Sequence, residues 1–189
     1  MSNLTGETIL NEEGASAILF KKWSAEDLFH QLALVTPWQQ NRIRVFGNWH
    51  DEPRLTCWYG PRYTYSNIAW PAAEMTPMLQ KIAEQITAVS KSPYNSVLLN
   101  YYRSGNDSMG WHRDNEPEID PASIASLSFG GVRIFKIRKR KTKDVRTIEL
   151  SGRDLLLMNN MQDNWEHCIP KSLRFCEPRI NLTFRQIIP

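Results

Sequence analysis

The chain has 189 residues, 41% hydrophobic and 23% charged, with 9 Gly, 11 Pro and a formal net charge of +3. This composition excludes a collagen-like, low-complexity or wholly disordered chain and fits one globular domain. Three cysteines without CxxC spacing argue against a disulfide scaffold or zinc knuckle, no apolar run approaches the ~18 residues of a membrane helix, and Met1 to Leu10 lacks the charge and apolar block of a secretory signal, so a reducing cytosol is the expected setting.

Ala17 to Lys22 reads as a short strand. Ser24 is placed to cap a helix over Ala25 to Val35, with Leu28, Leu32 and Val35 on one buried face. Between Trp38 and Trp70 lie eight of the 20 aromatic residues, interleaved with Arg42, Arg44, Arg54 and Arg62. Such a stretch suits stacking on bases between phosphate contacts, and it equally suits a β-rich core built from Trp and Tyr. A second helix follows, with Thr76 as cap, Pro77 at its first position, and Leu79, Ile82, Ile86 and Val89 on one side.

After Ser96 the pattern changes to eight short strands separated by turns such as Ser104-Gly105-Asn106-Asp107 and Gly130-Gly131. The predicted strands are Ser96–Tyr102, Met109–His112, Ser123–Phe129, Val132–Ile137, Val145–Leu150, Asp154–Met158, Trp165–Pro170 and Ile180–Ile187. Near-regular strand spacing, with helices only in the first half, predicts a mostly β fold with flanking helices (α+β): a two-sheet barrel or jelly roll. The whole of 1–189 is then a single catalytic domain, with residues 38–70 a lid joined to a core over 96–187.

Charge is concentrated. Arg133 to Arg146 holds eight basic residues and one acid; against the chain's net +3, this segment of +7 leaves −4 on the other 175 residues. Such a block is either a phosphate-tracking surface or the solvated tip of a hairpin.

Met109-Gly110-Trp111-His112-Arg113-Asp114 places His112 and Asp114 two apart on a predicted strand, where both side chains share a face. His167, in another predicted strand, is the best third ligand, since His30 falls in the first helix and His50 in the lid. Two His and one carboxylate leave coordination positions open, which suits Fe(II), a co-substrate and dioxygen. In Arg179-Ile180-Asn181-Leu182-Thr183-Phe184-Arg185, the residues Arg179, Asn181, Thr183 and Arg185 share one strand face. Two buried guanidiniums are costly unless anions meet them, and a dicarboxylic acid would satisfy both.

With Asn100-Tyr101-Tyr102, Gly105, His112 to Glu116, Ala125 to Gly130, His167 and Arg179 through Arg185, nearly half the chain resembles the AlkB family of Fe(II)/2-oxoglutarate-dependent dioxygenases. Upstream, Pro53 to Gly60 with Tyr63 to Ser66 resembles the lid of a member that prefers single strands. Val45 to His50 resembles instead the finger of a member that prefers duplex DNA.

The resemblance implies a double-stranded β-helix and the oxidative demethylation of N-alkylated bases of the 1-methyladenine and 3-methylcytosine type. Fe(II), O2 and 2-oxoglutarate are then consumed or used, and formaldehyde, succinate and CO2 released. By that resemblance His112, Asp114 and His167 hold iron, while Asn100, Tyr102, Arg179, Asn181, Thr183 and Arg185 hold 2-oxoglutarate. Tyr63 and Tyr65 would wall the pocket for a flipped base, Phe46 would fill the gap in the duplex, and Arg138, Lys139, Arg140, Lys141 and Lys143 would grip a strand. Asn115 stands where several members carry a second Asp. It exchanges hydrogen bonds but cannot offset the charge of a methylated base, a charge that Glu116 could supply. The implied partner is alkylated DNA, single- or double-stranded, or RNA, with no membrane. A monomer is expected, cytoplasmic in a bacterium or nuclear in a eukaryote. Two other readings are the same chemistry on RNA or another substrate, and a catalytically silent nucleic-acid-binding module.

Overall fold

Strands alternate their side chains between two faces, and here both faces of one large sheet are covered. The computed structural model describes residues 5–45, 47–65 and 68–188, with the backbone alone at 44, 45, 63–65 and 68. Phe46 therefore lies outside the described residues, as do the side chains of Tyr63 and Tyr65.

In chain order the elements are β1 (Glu7–Glu12), β2 (Ala15–Phe20), α1 (Phe29–Val35), β3 (Arg42–Val45), β4 (Asn48–Asp51), β5 (Leu55–Tyr59), β6 (Tyr63–Tyr65), β7 (Ile68–Trp70) and α2 (Pro77–Ser90). There follow β8 (Ser96–Tyr102), β9 (Met109–His112), β10 (Ser123–Gly130), β11 (Arg133–Lys139), β12 (Val145–Leu150), β13 (Leu155–Asn159), β14 (Trp165–Ile169) and β15 (Arg179–Arg185). A seven-stranded sheet runs β1-β2-β13-β10-β15-β8-β5, and a four-stranded sheet runs β12-β11-β14-β9. Every pairing in them is antiparallel, as a jelly roll requires.

The large sheet separates two apolar layers. Leu99, Leu127, Phe129, Leu157, Ile180, Leu182 and Phe184 pack toward the helices, with Leu32 of α1 and Leu79, Ile82 and Ile86 of α2. The alternate positions Leu98, Tyr102, Ile124, Leu156 and Met158 face Phe135, Ile137, Ile148 and Trp165 of the small sheet. Polar positions in the same alternation, Asn100, Ser126, Asn181 and Thr183, line a cavity between the sheets. At Gly130 the chain turns with φ of 78°, and a Cβ there would lie 2.6 Å from both the Phe29 ring and the Pro178 carbonyl oxygen. Glycine alone fits both the angle and the approach.

Several expectations change. The strand expected over Ala17 to Lys22 is β2, shifted to Ala15–Phe20 and paired with a β1 that the sequence reading did not foresee. Helix α1 starts at Phe29, not Ala25, because Ser24 and Asp27 bond locally, to the Glu26 carbonyl and the Phe29 amide, and form turns instead. Val35 is consequently 58% exposed. The stretch 38–70 is not simply a lid: β5 is an edge of the large sheet, and Trp58 and Trp70 are buried in the core. Helix α2 forms as expected, with Thr76 accepting from the Leu79 amide at 3.3 Å and Pro77 first, although Val89 is exposed.

Replacing Thr76 by Ala removes that cap and is expected to cost about 1 kcal/mol, a fall in Tm of roughly 2–4 °C for a domain of this size. An unchanged melting curve would show that packing alone holds the first turn of α2.

Candidate active site

His112 ends β9 and pairs directly with His167 of β14, so register alone places the two imidazoles side by side. Their ring centroids are 4.2 Å apart, and His167 stacks on Phe135 at 5.4 Å. Asp114 lies beyond the end of β9, not within a strand as expected. Its amide is held by the Gln162 Oε1 at 2.9 Å instead of by a ladder bond. One ligand atom from each of His112, Asp114 and His167 lies within 4.8 Å of the others.

The carboxylate is anchored from below. Arg185 Nη2 donates to Asp114 Oδ1 at 2.7 Å, while Asp114 Oδ2 is 3.6 Å from His167 Nε2 and has no hydrogen-bond donor among the described residues. Burial works against a charged Asp114, but Arg185 and the two imidazoles outweigh it and hold its pKa at about 2. Burial also lowers His112, and it lowers His167 to about 3 with the help of the neighbouring His112. Both imidazoles are thus neutral and the carboxylate ionised near pH 7, the states that metal ligation needs. His112 Nδ1 lies 2.9 Å from the Gly110 carbonyl oxygen, which requires the proton on Nδ1 and leaves the Nε2 lone pair for an ion.

Beside this cluster stands the polar face of β15. Asn181 Nδ2 donates to Ser126 Oγ and the Leu127 carbonyl, and Thr183 Oγ1 donates to Asn181 Oδ1. Arg179 is fully buried; its Nη2 donates to Ser128 Oγ at 2.9 Å, and its guanidinium lies 5.5 Å from the Tyr102 ring centre. Its Nε and Nη1 have no partner among the described residues, and burial lowers its pKa to about 10. Two orphaned, buried donors of one cation are what a carboxylate would complete. The donor set therefore fits Fe(II) with a 2-oxoacid bearing a second carboxylate.

A family model, 2OG-Fe(II) oxygenase superfamily, matches residues 17–185. The chain belongs to that superfamily. It is 35% identical over 199 aligned positions to mouse DNA oxidative demethylase ALKBH2, covering 95% of this chain and 83% of that protein. Human ALKBH2 is 34% identical, with 90% and 72% covered. Bovine alpha-ketoglutarate-dependent dioxygenase alkB homolog 3 is 38% identical, with 87% and 62% covered. The solved structure of OsALKBH1 superposes with a TM-score of 0.63 at 16% identity over 90% of this chain and 96% of that one, a likeness of fold. This is an AlkB-type dioxygenase, and its family uses Fe(II), 2-oxoglutarate and O2.

The basic block is less free than its sequence implied. Arg138 pairs with Glu166 at 2.7 Å and covers the Trp111 ring at 4.2 Å. Lys139 pairs with Glu13 and Glu12 at 2.8 and 3.7 Å, Arg146 pairs with Glu12, and Arg140 donates to the Asp163 carbonyl. Lys141 and Lys143 form no ion pair among the described residues and stand exposed at the turn after β11. Asn115 is exposed and Glu116 half-buried on the loop leaving Asp114. Of the arginines among the lid aromatics, Arg54 is buried and so unable to meet a phosphate. The sequence reading missed Gln162, Ser126 and Ser128; the two serines were legible as the polar half of the β10 alternation, whereas nothing marked Gln162.

The depressed His167 value has a stability consequence. Between about pH 3 and the ordinary 6.5, the unfolded chain binds a proton that the folded chain does not. Metal-free protein is therefore expected to lose stability as pH falls through that window, by on the order of 1 kcal/mol per pH unit for one such proton. Urea titrations at stepped pH should show a shallower dependence in His167→Leu; an identical slope would mean that His167 is not a buried neutral imidazole.

Proposed function

We propose that this chain repairs N-alkylated bases in DNA by oxidative demethylation. The observation that carries the reading is one cavity that joins the His112, Asp114 and His167 cluster to Asn181, Thr183 and Arg185 of β15. The names of the ALKBH2 relatives support the choice of DNA.

In this reading His112, Asp114 and His167 hold Fe(II). Asn100, Tyr102, Arg179, Asn181, Thr183 and Arg185 hold 2-oxoglutarate. Bound iron, 2-oxoglutarate and O2 supply the oxidation that hydroxylates an N-methyl carbon, with formaldehyde, succinate and CO2 released. The protein's part is geometry and charge. Gly110 fixes the His112 tautomer, Gln162 fixes the Asp114 backbone, and Arg185 keeps one carboxylate oxygen occupied so that the other faces the imidazoles. Arg179 offers its two orphaned donors to a carboxylate, and low dielectric strengthens that pairing. Glu116 offsets the charge of a methylated base, with Asn115 beside it as an uncharged partner.

The deciding experiment reconstitutes the protein anaerobically with Fe(II) and 2-oxoglutarate, then admits air with oligonucleotides carrying 1-methyladenine or 3-methylcytosine. Single-stranded DNA, duplex DNA and RNA are compared by mass spectrometry. Loss of one methyl mass that depends on both iron and 2-oxoglutarate is expected, and His167→Ala should abolish it while leaving DNA binding largely intact. Succinate formed without loss of methyl from any DNA would move the substrate elsewhere, and demethylation by His167→Ala would remove the iron assignment.

The ion pairs divide the basic block. Neutralising Lys141 and Lys143 is expected to flatten the logarithmic salt dependence of duplex binding by up to about 0.9 per lysine. Lys139→Ala should change it less, because Glu12 and Glu13 already neutralise that charge. Equal effects from all three would return the whole block to the nucleic-acid surface.

A further inference from the structure

Arg54 begins the approach to β5 and is only 4% exposed, and Glu52 2%. Arg54 Nη2 donates to Glu52 Oε1 at 2.8 Å, and Arg54 Nε donates to Asn100 Oδ1 at 2.9 Å. The Thr56 hydroxyl donates to the other Glu52 oxygen at 3.4 Å and accepts from Asn41 Nδ2 at 2.8 Å. Thr56 and Asn100 are register partners across β5 and β8, so the whole group is fixed by the sheet edge.

A buried ion pair contributes little net stability, since desolvation cancels most of its attraction. Its geometry is more informative. A guanidinium has only donors, so the amide facing it must present its oxygen. Asn100 also lines the cavity between the sheets. With Oδ1 committed to Arg54, the Nδ2 amino group is the end left for that cavity. Without Arg54 the amide could turn and present its oxygen, which repels an anion.

We propose that Arg54, carried by Glu52, is a positioning residue for the co-substrate: it locks the Asn100 amide so that Nδ2 donates to a carboxylate of 2-oxoglutarate. This rests on the assignment of Asn100 to the 2-oxoglutarate pocket. Arg54 itself touches neither co-substrate nor nucleic acid.

The test is a binding cycle with 2-oxoglutarate on Mn(II)-loaded protein, read by calorimetry, with duplex binding measured in parallel. Because a lone Arg54→Met would strand a buried carboxylate, the pair is neutralised together as E52Q/R54M. Arg54→Lys keeps the charge beside Glu52 but lacks the fixed Nε donor, and circular dichroism establishes that each variant is folded. Asn100→Ala, E52Q/R54M and Arg54→Lys should each weaken 2-oxoglutarate binding about tenfold, the scale of one charge-assisted hydrogen bond. Adding Asn100→Ala to E52Q/R54M should cost nothing more, because Arg54 acts only through that amide. Duplex affinity should stay within twofold throughout. Losses that multiply in the combined variant would overturn the proposal, as would unchanged 2-oxoglutarate affinity with weakened DNA binding in Arg54→Lys. If Asn100→Ala alone leaves 2-oxoglutarate binding intact, the pocket assignment has failed and the proposal with it; that result is separate from one in which only the Arg54 variants are silent.

Discussion

Arg185 and Asp114 form the interaction on which the rest of the site depends. Strand β15 points Ile180, Leu182 and Phe184 into the layer beneath the helices, so strand geometry sends Arg179, Asn181, Thr183 and Arg185 to the other face, between the sheets. That face holds two guanidiniums with almost no access to water. Asp114 takes up one of them through Arg185, and in doing so is fixed beside His112 and His167. A cation imposed by strand alternation thus becomes the support for a ligand carboxylate. The same alternation leaves Arg179 with donors that no other described residue fills.

The site is assembled from two sheets that face each other across this cavity and the apolar layer around it. His112 and His167 belong to the small sheet, and the β15 residues with Asn100 and Tyr102 to the large one. The apolar layer of Leu98, Phe135, Ile137 and Met158 sets the distance between them. Core packing and site geometry are therefore one problem, and a cavity-forming substitution in that layer loosens the ligands as well as the fold.

What the sequence disclosed follows from the range of the interactions involved. Periodicity of two in Arg179 to Arg185 was enough to place four side chains together, because alternation is local. His112 and Asp114 were found from their spacing, although the reason for their proximity differs: Asp114 is held by Gln162, 48 residues away, and not by a strand. His167 followed because the other histidines fell in the wrong elements. Arg54 stands in a stretch that suits phosphate contacts and a β-rich core equally, and a charged residue between aromatics carries no local sign that Glu52 and Asn100 will bury it. Lys139 and Arg146 likewise stand in the basic block with no local sign of a partner. Their partners, Glu12 and Glu13, lie more than 120 residues earlier, on a hairpin whose first strand gave no clear signal.

Those distant ion pairs bear on kinetics. Under the proposed function, a surface of Lys141 and Lys143, with Arg140 partly engaged, would meet few phosphates, and each contact withheld would shorten the residence time on undamaged polymer. Fast release favours search by repeated brief encounters, leaving the lifetime of a productive complex to be set by the base that enters the cavity. Under the same proposal the β1–β2 hairpin, by pairing Glu12 and Glu13 with Lys139 and Arg146, would set how long the protein stays where there is nothing to repair.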